Sequence, residues 1–547
     1  MIRLIRWLSG LCAAVALSAA SAIAQDNGGR GPFPSFKEME AAGAVIGEIR
    51  ISNENIFDLD DPRENNWFYR LGNAIHVPTR VGLLRSILLF RSGERVSVQL
   101  IEETERLLRN QGYLYDVRIQ PVAYQNGVVD IEVATRDSWS LDPAIKLARE
   151  GGVNSGGFGL RENNLLGTGL AIGYAYESEA DRNGNEFSIG HGNAFGSRTA
   201  VEYQHTDFND GERDSFRLER PFYALDTRWA AGLSATRHGR IDSIYGGGVV
   251  VGQYRHQGDT GEVYGGFSRG LVDGFAQRFS LGIEYRDDAY RADPTVVAPP
   301  ELPQDQKLVA PFVRYELIED DYRKTINLDR VQRTEYLRIG TDLRLQLGRA
   351  MTGLGSTGDW WLYKFEGSNG FALNPRNTVI ASAYARGQYG SSGGEHQFVG
   401  ANAKYYFRQV SGNVFYASIL ADAVANGNAA DQVLIGGDSG LRGYPHRYQS
   451  GTRRALMTVE NRYYTDWFPL RLFRVGAAVY VDHGRAWGGD NPNSGNPGWL
   501  TNIGFGLRIF SDRSATGRVL HIDLAFPLDS DPAIRSPQLL FKSRASF

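Results

Sequence analysis

Residues 279–286 read Phe-Ser-Leu-Gly-Ile-Glu-Tyr-Arg, an unbroken alternation of apolar and polar side chains. Residues 502–509 repeat this pattern, and residues 337–347 follow it over most of their length, as one further strand-like run. Successive side chains of a β-strand point to opposite faces of a sheet, so each run predicts a strand with one apolar and one polar face. Such runs recur from Trp139 to the last residue without a helical pattern between them. The sequence therefore predicts an all-β unit over residues 138–547.

The composition of the two strand faces favours a membrane barrel over a soluble β-sandwich. Alternation alone fits both folds, but here the polar face carries many charges and glycines, and no further layer is available to cover the apolar face. A closed antiparallel transmembrane barrel solves this with lipid outside and a wet or plugged lumen inside. About twenty strand-like segments follow residue 140, some of them expected as loop hairpins. Both barrel ends on one side of the membrane require an even number.

The first 24 residues have the pattern of a secretory signal peptide. Arg3 and Arg6 precede an apolar stretch, and residues 22–24 form an Ala-Ile-Ala cleavage site. The only cysteine, Cys12, lies in this segment, so the mature chain is expected to contain neither a disulfide nor a catalytic thiol. Without Arg3 and Arg6, 57 basic residues face 62 acidic ones, a net charge of −5. This balance argues against nucleic-acid binding.

Residues 25–43 are polar and rich in glycine and proline, which predicts a flexible leader. Residues 44–137 predict a small α+β domain. A helix is expected over Val98–Asn110, where apolar residues recur at spacings of three and four. Strand-like runs flank an Asn126-Gly127 turn. The prediction is a compact soluble domain in front of the barrel.

Catalytic motifs are not apparent in the sequence. The nine histidines form no HExxH motif and no zinc-ligand spacing, and no Gly-x-Ser-x-Gly elbow is present. We therefore expect no enzymatic activity, no cofactor and no metal.

A glycine-rich loop over residues 436–445 carries a single arginine, Arg442. In the strands that follow, alternation turns Glu460 and Asp482 toward the lumen. A guanidinium presents a planar fork that can bind two carboxylates. The sequence predicts that Arg442 meets both in a dry site, or else lies in a solvated loop above a wet pore.

Several stretches resemble the BamA/TamA-like bacterial surface antigen superfamily, which also contains FhaC-type two-partner secretion transporters. Residues 441–444 (Leu-Arg-Gly-Tyr) are similar to its loop-six signature, and residues 164–169 to its early-strand motif. Residues 481–487 are similar to its Asp-x-Gly-x-x-Trp stretch, and residues 504–508 followed by 523–527 are similar to its closing strands. Residues 88–94 and 107–113 resemble parts of a POTRA (polypeptide-transport-associated) domain.

The resemblance implies an outer-membrane barrel of about sixteen strands behind one periplasmic POTRA-like domain. Loop six would fold into the lumen, where Arg442, Gly443 and Tyr444 form a lock with Glu460 and Asp482. It also implies a weak lateral seam between the first and last strands, with five candidate residues: Ile145, Leu147, Leu539, Phe541 and Phe547.

The function implied by the resemblance is the insertion or translocation of outer-membrane or surface proteins through that seam. The partners would be the outer-membrane bilayer and unfolded barrel or secreted clients, with periplasmic chaperones or lipoproteins as further candidates. Two alternatives stay open: a dedicated two-partner-type secretion transporter, and a passive pore or surface antigen.

Overall fold

The computed structural model describes residues 33–143, 145–391, 393–489, 498–514, 518–529 and 534–544. The predicted signal peptide and Phe547 lie outside these residues. No helix within these segments is long and apolar enough to cross a membrane.

Residues 33–137 form an α+β unit, called the module below. Its helices are α1 (Phe36–Ala41), α2 (Trp67–Ile75), α3 (Val81–Ile87) and α4 (Val98–Arg109). Its strands are β1 (Val45–Glu54), β2 (Leu114–Gln125) and β3 (Val128–Asp137), in the sheet order β1-β3-β2 with β1 parallel to β3. Helix α4 begins at the Ser97 cap and ends before Asn110, as its periodicity predicts. The β2–β3 turn uses left-handed Asn126 and Gly127.

The leader predicted over residues 25–43 is wrong in its second half, because α1 lies there. Ser35 and Glu38 form a capping box at the start of this helix, and Met39 is buried in the core of the module. A short helix of this kind escapes a search for long periodic segments. The module therefore begins before the predicted boundary at residue 44.

The remaining strands follow in chain order. The first group is β4 (Leu141–Pro143), β5 (Lys146–Glu150), β6 (Val153–Leu165), β7 (Leu170–Ser178), β8 (Asn183–Ala194), β9 (Thr199–Phe208) and β10 (Gly211–Arg220). The second is β11 (Trp229–Gly246), β12 (Val249–Val272), β13 (Phe275–Arg291), β14 (Gln306–Glu319), β15 (Tyr322–Ile326), β16 (Thr334–Arg338) and β17 (Asp342–Ala350). The third is β18 (Trp360–Asn374), β19 (Asn377–Gly390), β20 (Gly393–Arg408), β21 (Val414–Ala425), β22 (Val433–Ile435), β23 (Gln449–Gly451) and β24 (Arg453–Tyr464). The last is β25 (Phe473–Trp487), β26 (Leu500–Ser511), β27 (Val519–Pro527) and β28 (Gln538–Arg544). Short 3-10 turns occupy Thr352–Leu354 and Pro469–Arg471.

A closed antiparallel barrel is formed by all of these strands except two separate pairs, β15–β16 and β22–β23. Strands β4 and β5 both pair with β6 in one continuous register and act as a single interrupted strand. The described residues therefore form a wall of 20 strands, and the expected number of about sixteen is wrong. The strand number depends on which strands pair over long distances in the chain. A family likeness at loop six does not determine that pairing. The even number places both ends of the wall on one rim.

Residues 337–347 do not form one strand. Strand β16 ends at Arg338 in a separate hairpin with β15, and β17 begins at Asp342 in the wall. Both parts alternate, so alternation alone could not separate a hairpin from the wall.

Side chains of the wall alternate between the two faces, as the pattern predicts. On β13, Ser280 is 3% exposed, whereas its neighbour Leu281 is 63% exposed. Many other outward positions carry exposed leucine, valine, isoleucine or phenylalanine. Such a belt of apolar side chains around a closed barrel indicates a lipid-facing surface.

The module lies against one rim of the barrel, the module-side rim. The buried Arg513 of the β26–β27 turn donates to Glu64 at 2.8 Å and to the Ile56 carbonyl at 3.0 Å. On the β6–β7 turn, the Gly167 carbonyl accepts from Arg80 N at 2.9 Å. A Cβ on Gly167 would lie 2.2 Å from the Pro78 carbonyl oxygen, which explains a glycine at this close approach.

Candidate functional site in the lumen and at the seam

The loop between β21 and β24 enters the lumen from the far rim, opposite the module. Residues 436–447, the inserted loop, carry the arginine singled out by the sequence. The loop packs with the wall in an apolar cluster made of Ile435, Leu441, Tyr444, Tyr448, Ala486 and Leu500. Gly443 lies so close to β26 that a Cβ would come within 2.7 Å of Asn502 Cβ. Tyr444 is buried, and its hydroxyl donates to the Thr501 carbonyl at 2.7 Å.

Arg442 lies between the two carboxylates that alternation turns inward. Its Nε and Nη2 donate to both oxygens of Asp482 at 2.8 and 2.7 Å, and its Nη1 donates to Glu460 at 2.8 Å. All three side chains are at least nine-tenths buried. A bidentate pair of this kind fixes both direction and distance, so it holds the inserted loop in one position.

Further side chains complete this arginine cluster. Asp482 also accepts from Thr458 at 2.9 Å and from Asn502 at 3.0 Å, so each of its oxygens has two donors. The Arg442 guanidinium lies 3.3 Å from the centre of the Tyr480 ring. Tyr480 precedes Asp482 by two positions, and alternation therefore could have placed it in the lumen. No local feature of the sequence predicts that Asn502 of β26 lies opposite Asp482 of β25.

A second insert, the lumen hairpin β15–β16, reaches the lumen from the module-side rim. Leu328 at its tip is buried with three wall side chains, Tyr406, Val414 and Tyr416. Val331 is buried against a second group, Ala478, Phe510 and Val519. Arg462 donates to the Leu328 carbonyl at 2.7 Å and to Glu460 at 3.0 Å. A chain of polar contacts thus links the inserted loop to the lumen hairpin.

The lumen hairpin is also held by the module, both at its base and in its connecting loop. Arg106 of α4 donates to Asp320 at 3.0 Å and lies 4.1 Å from the centre of the Tyr322 ring. Arg333 donates to the Leu114 carbonyl at 3.0 Å. On the same face of α4, burial raises the pKa of the Glu103 carboxyl, which accepts from Leu225 N at 2.8 Å. Module, hairpin and wall therefore form one packed interface.

The seam between β5 and β28 is the weakest junction of the described wall. Phe541 opposite Arg149 is its single described pair, whereas β27 and β28 share seven, from Val519 opposite Arg544 to Ala525 opposite Gln538. Lys542 forms an ion pair with Glu150 at 2.7 Å. Among the described residues, few main-chain bonds therefore need to break to separate the first and last strands.

A cavity of about 580 Å³ opens beside this seam. Its lining combines outward side chains, such as Ile145 and Leu147, with inward ones, such as Lys146 and Glu177, and it reaches Ser543 of the last strand. Both wall faces and both sides of the seam thus contribute to one cavity. Leu539 is half exposed on the outer surface, and the predicted seam residue Phe547 lies outside the described residues.

Among the described residues, three or more His, Cys, Asp or Glu side chains do not cluster in a way that would hold a metal ion.

Comparison with known proteins gave structural matches only. No family model and no curated protein matches the chain. Matching structures include BamA from Haemophilus ducreyi lacking POTRA domains 1-3, at 11% identity and a TM-score of 0.39, covering 92% of this chain and 84% of that one. CdiB from Escherichia coli matches at 14% identity and a TM-score of 0.45, covering 92% and 77%. CdiB from Acinetobacter baumannii matches at 12% identity and a TM-score of 0.40, covering 91% and 73%. All three TM-scores lie below 0.5, so the fold of this chain rests on its own strand pairing.

Proposed function

We propose that this protein resides in the outer membrane and assists the insertion or translocation of other outer-membrane or surface proteins through its lateral seam. The observation that carries the proposal is the single described pair between the first and last strands, beside a cavity lined by both wall faces. A strand edge released there can accept an incoming strand through main-chain hydrogen bonds, whatever the client sequence.

The module is proposed to be a POTRA-like domain in the periplasm. Strand β2 lies at an edge of its sheet, so it can add a client strand in the same way. Its docking against the rim beside the seam supports a path from module to seam. Crosslinkers placed on the module would capture any periplasmic chaperone or lipoprotein that binds it.

The two lumen inserts favour the seam over the lumen as the path. The inserted loop enters from the far rim and the lumen hairpin from the module-side rim, and both carry buried side chains. This filling argues against a passive open pore. A dedicated secretion transporter fits the same seam and module, and it remains the second candidate.

Proteomics of the outer membrane and culture fluid after depletion of this protein tests the proposal. Loss of several integral barrels or surface proteins is expected, and complementation with the wild-type gene should restore them. Loss of one secreted protein alone would instead identify a dedicated transporter. Unchanged fractions in a strain without a redundant machine would contradict a transport role.

A further inference from the structure

Helix α2 presents a large apolar face to the outside of the protein. Trp67, Phe68, Leu71 and Ile75 are 73%, 47%, 51% and 61% exposed. At about 100° per residue these four side chains fall within one stripe along the helix. A soluble domain rarely exposes four large apolar side chains side by side, so the face calls for a partner.

The outward direction of this face is fixed, because the opposite face of α2 is held by the module. Tyr69 and Gly72 are buried, and a Cβ on Gly72 would come within 2.9 Å of the Phe57 ring. Asn73 accepts from Phe57 N at 3.0 Å and donates to the Phe57 carbonyl at 2.8 Å. The helix therefore cannot roll its apolar stripe inward without losing these contacts.

The apolar stripe continues onto the lipid-facing wall of the barrel. Ile75 and Val77, which follow the stripe, line a cavity of about 200 Å³ together with Leu141 and Leu166. Leu141 begins the first strand and shares its outward face with Leu147, which is 62% exposed. The end of α2 thus lies beside the part of the wall that faces lipid.

We propose that α2 is an interfacial helix that docks on the phospholipid leaflet at the module-side rim. A short amphipathic helix with an aromatic–aliphatic face binds at the boundary between headgroups and acyl chains. Trp67 suits this boundary because its ring is apolar while its indole N–H is polar. The exposed Arg70 flanks the stripe, where it can meet anionic headgroups. The partner of this surface is the bilayer itself, which would hold the module close to the seam.

A fluorophore on α2 tests the proposal. The only cysteine is Cys12, in the predicted signal peptide, so Leu71→Cys in the full mature chain gives a unique site for an environment-sensitive label. The protein is reconstituted in vesicles of phosphatidylethanolamine and phosphatidylglycerol, with nitroxide-bearing lipid as the quencher. Arg118→Cys, 72% exposed on the module sheet, is the matched control.

The label at position 71 should show blue-shifted emission and several-fold stronger quenching than the label at position 118. Equal quenching at both sites, in protein whose barrel keeps its heat-modifiable gel mobility, would overturn the proposal. Ile75→Cys provides a second reporter should Leu71→Cys misfold. A blue shift that appears only after a urea-unfolded barrel polypeptide is added would also overturn it, because the surface would then bind clients and not lipid.

Discussion

At the scale of single residues, Arg442 satisfies two buried carboxylates on neighbouring strands. Replacing Arg442 by alanine would leave Glu460 and Asp482 buried without their shared cation. Breaking a buried pair in this way typically costs about 3–5 kcal/mol. We expect Arg442→Ala to lower the unfolding midpoint in urea and to release the inserted loop to added protease, because the bidentate contact that fixes it is lost.

The control is Arg386→Ala, because this arginine is exposed and lies over the Phe398 ring. It should leave the urea midpoint nearly unchanged. The urea midpoint of Arg442→Lys should lie between those of the two alanine variants, because an ammonium group cannot reproduce the planar fork of the guanidinium. Equal effects of the alanine variants would show that the arginine cluster does not hold the loop.

At the scale of elements, the seam can be closed by design. Arg149 and Phe541 lie opposite each other in the register of β5 and β28, so cysteines at both positions suit a disulfide. Oxidised Arg149→Cys/Phe541→Cys protein should lose client assembly in reconstituted vesicles, because the strands can no longer part, and reduction should restore it. The matched control, Leu507→Cys/Ile522→Cys, places the same bond between β26 and β27. Full activity of the oxidised seam variant would rule out a lateral opening.

The lumen hairpin is the second element with a separable role. Leu328 and Val331 are 4% and 0% exposed, and aspartate at both positions should expel the hairpin, because two carboxylates would be buried without partners. We expect Leu328→Asp/Val331→Asp to raise single-channel conductance in planar bilayers. Val297→Asp, at a residue 75% exposed in the β13–β14 loop, should not. Unchanged conductance would mean that other segments block the lumen.

At the scale of the whole molecule, module and barrel meet through polar and apolar contacts along the rim, and the buried Arg513 makes two of them. Arg513 is 5% exposed and reaches both Glu64 and the Ile56 carbonyl. Arg513→Ala should let the module move away from the rim of the barrel. Limited proteolysis that cuts between residues 137 and 141 would detect this movement as faster release of an intact barrel. Arg535→Ala, at an exposed residue before β28, is the control. Release at the wild-type rate would show that the remaining rim contacts are enough to hold the module against the barrel.

The sequence by itself determined which side chains face which side of the wall. Strict alternation predicted the exposed Leu281 and the buried Ser280, and it turned Glu460 and Asp482 inward, where the structure has them. These features are local, because the direction of a side chain in a strand depends only on its position along that strand.

Only the tertiary structure decided how the strands close and what enters the lumen. The run over residues 337–347 divides between the lumen hairpin and the wall, and the wall has 20 strands. Asn502 joins the arginine cluster across a strand junction, and α2 turns an apolar face outward beside Leu141. The physical reason is that alternation fixes the face of a side chain, while closure, insertion and docking depend on contacts between residues far apart in the chain.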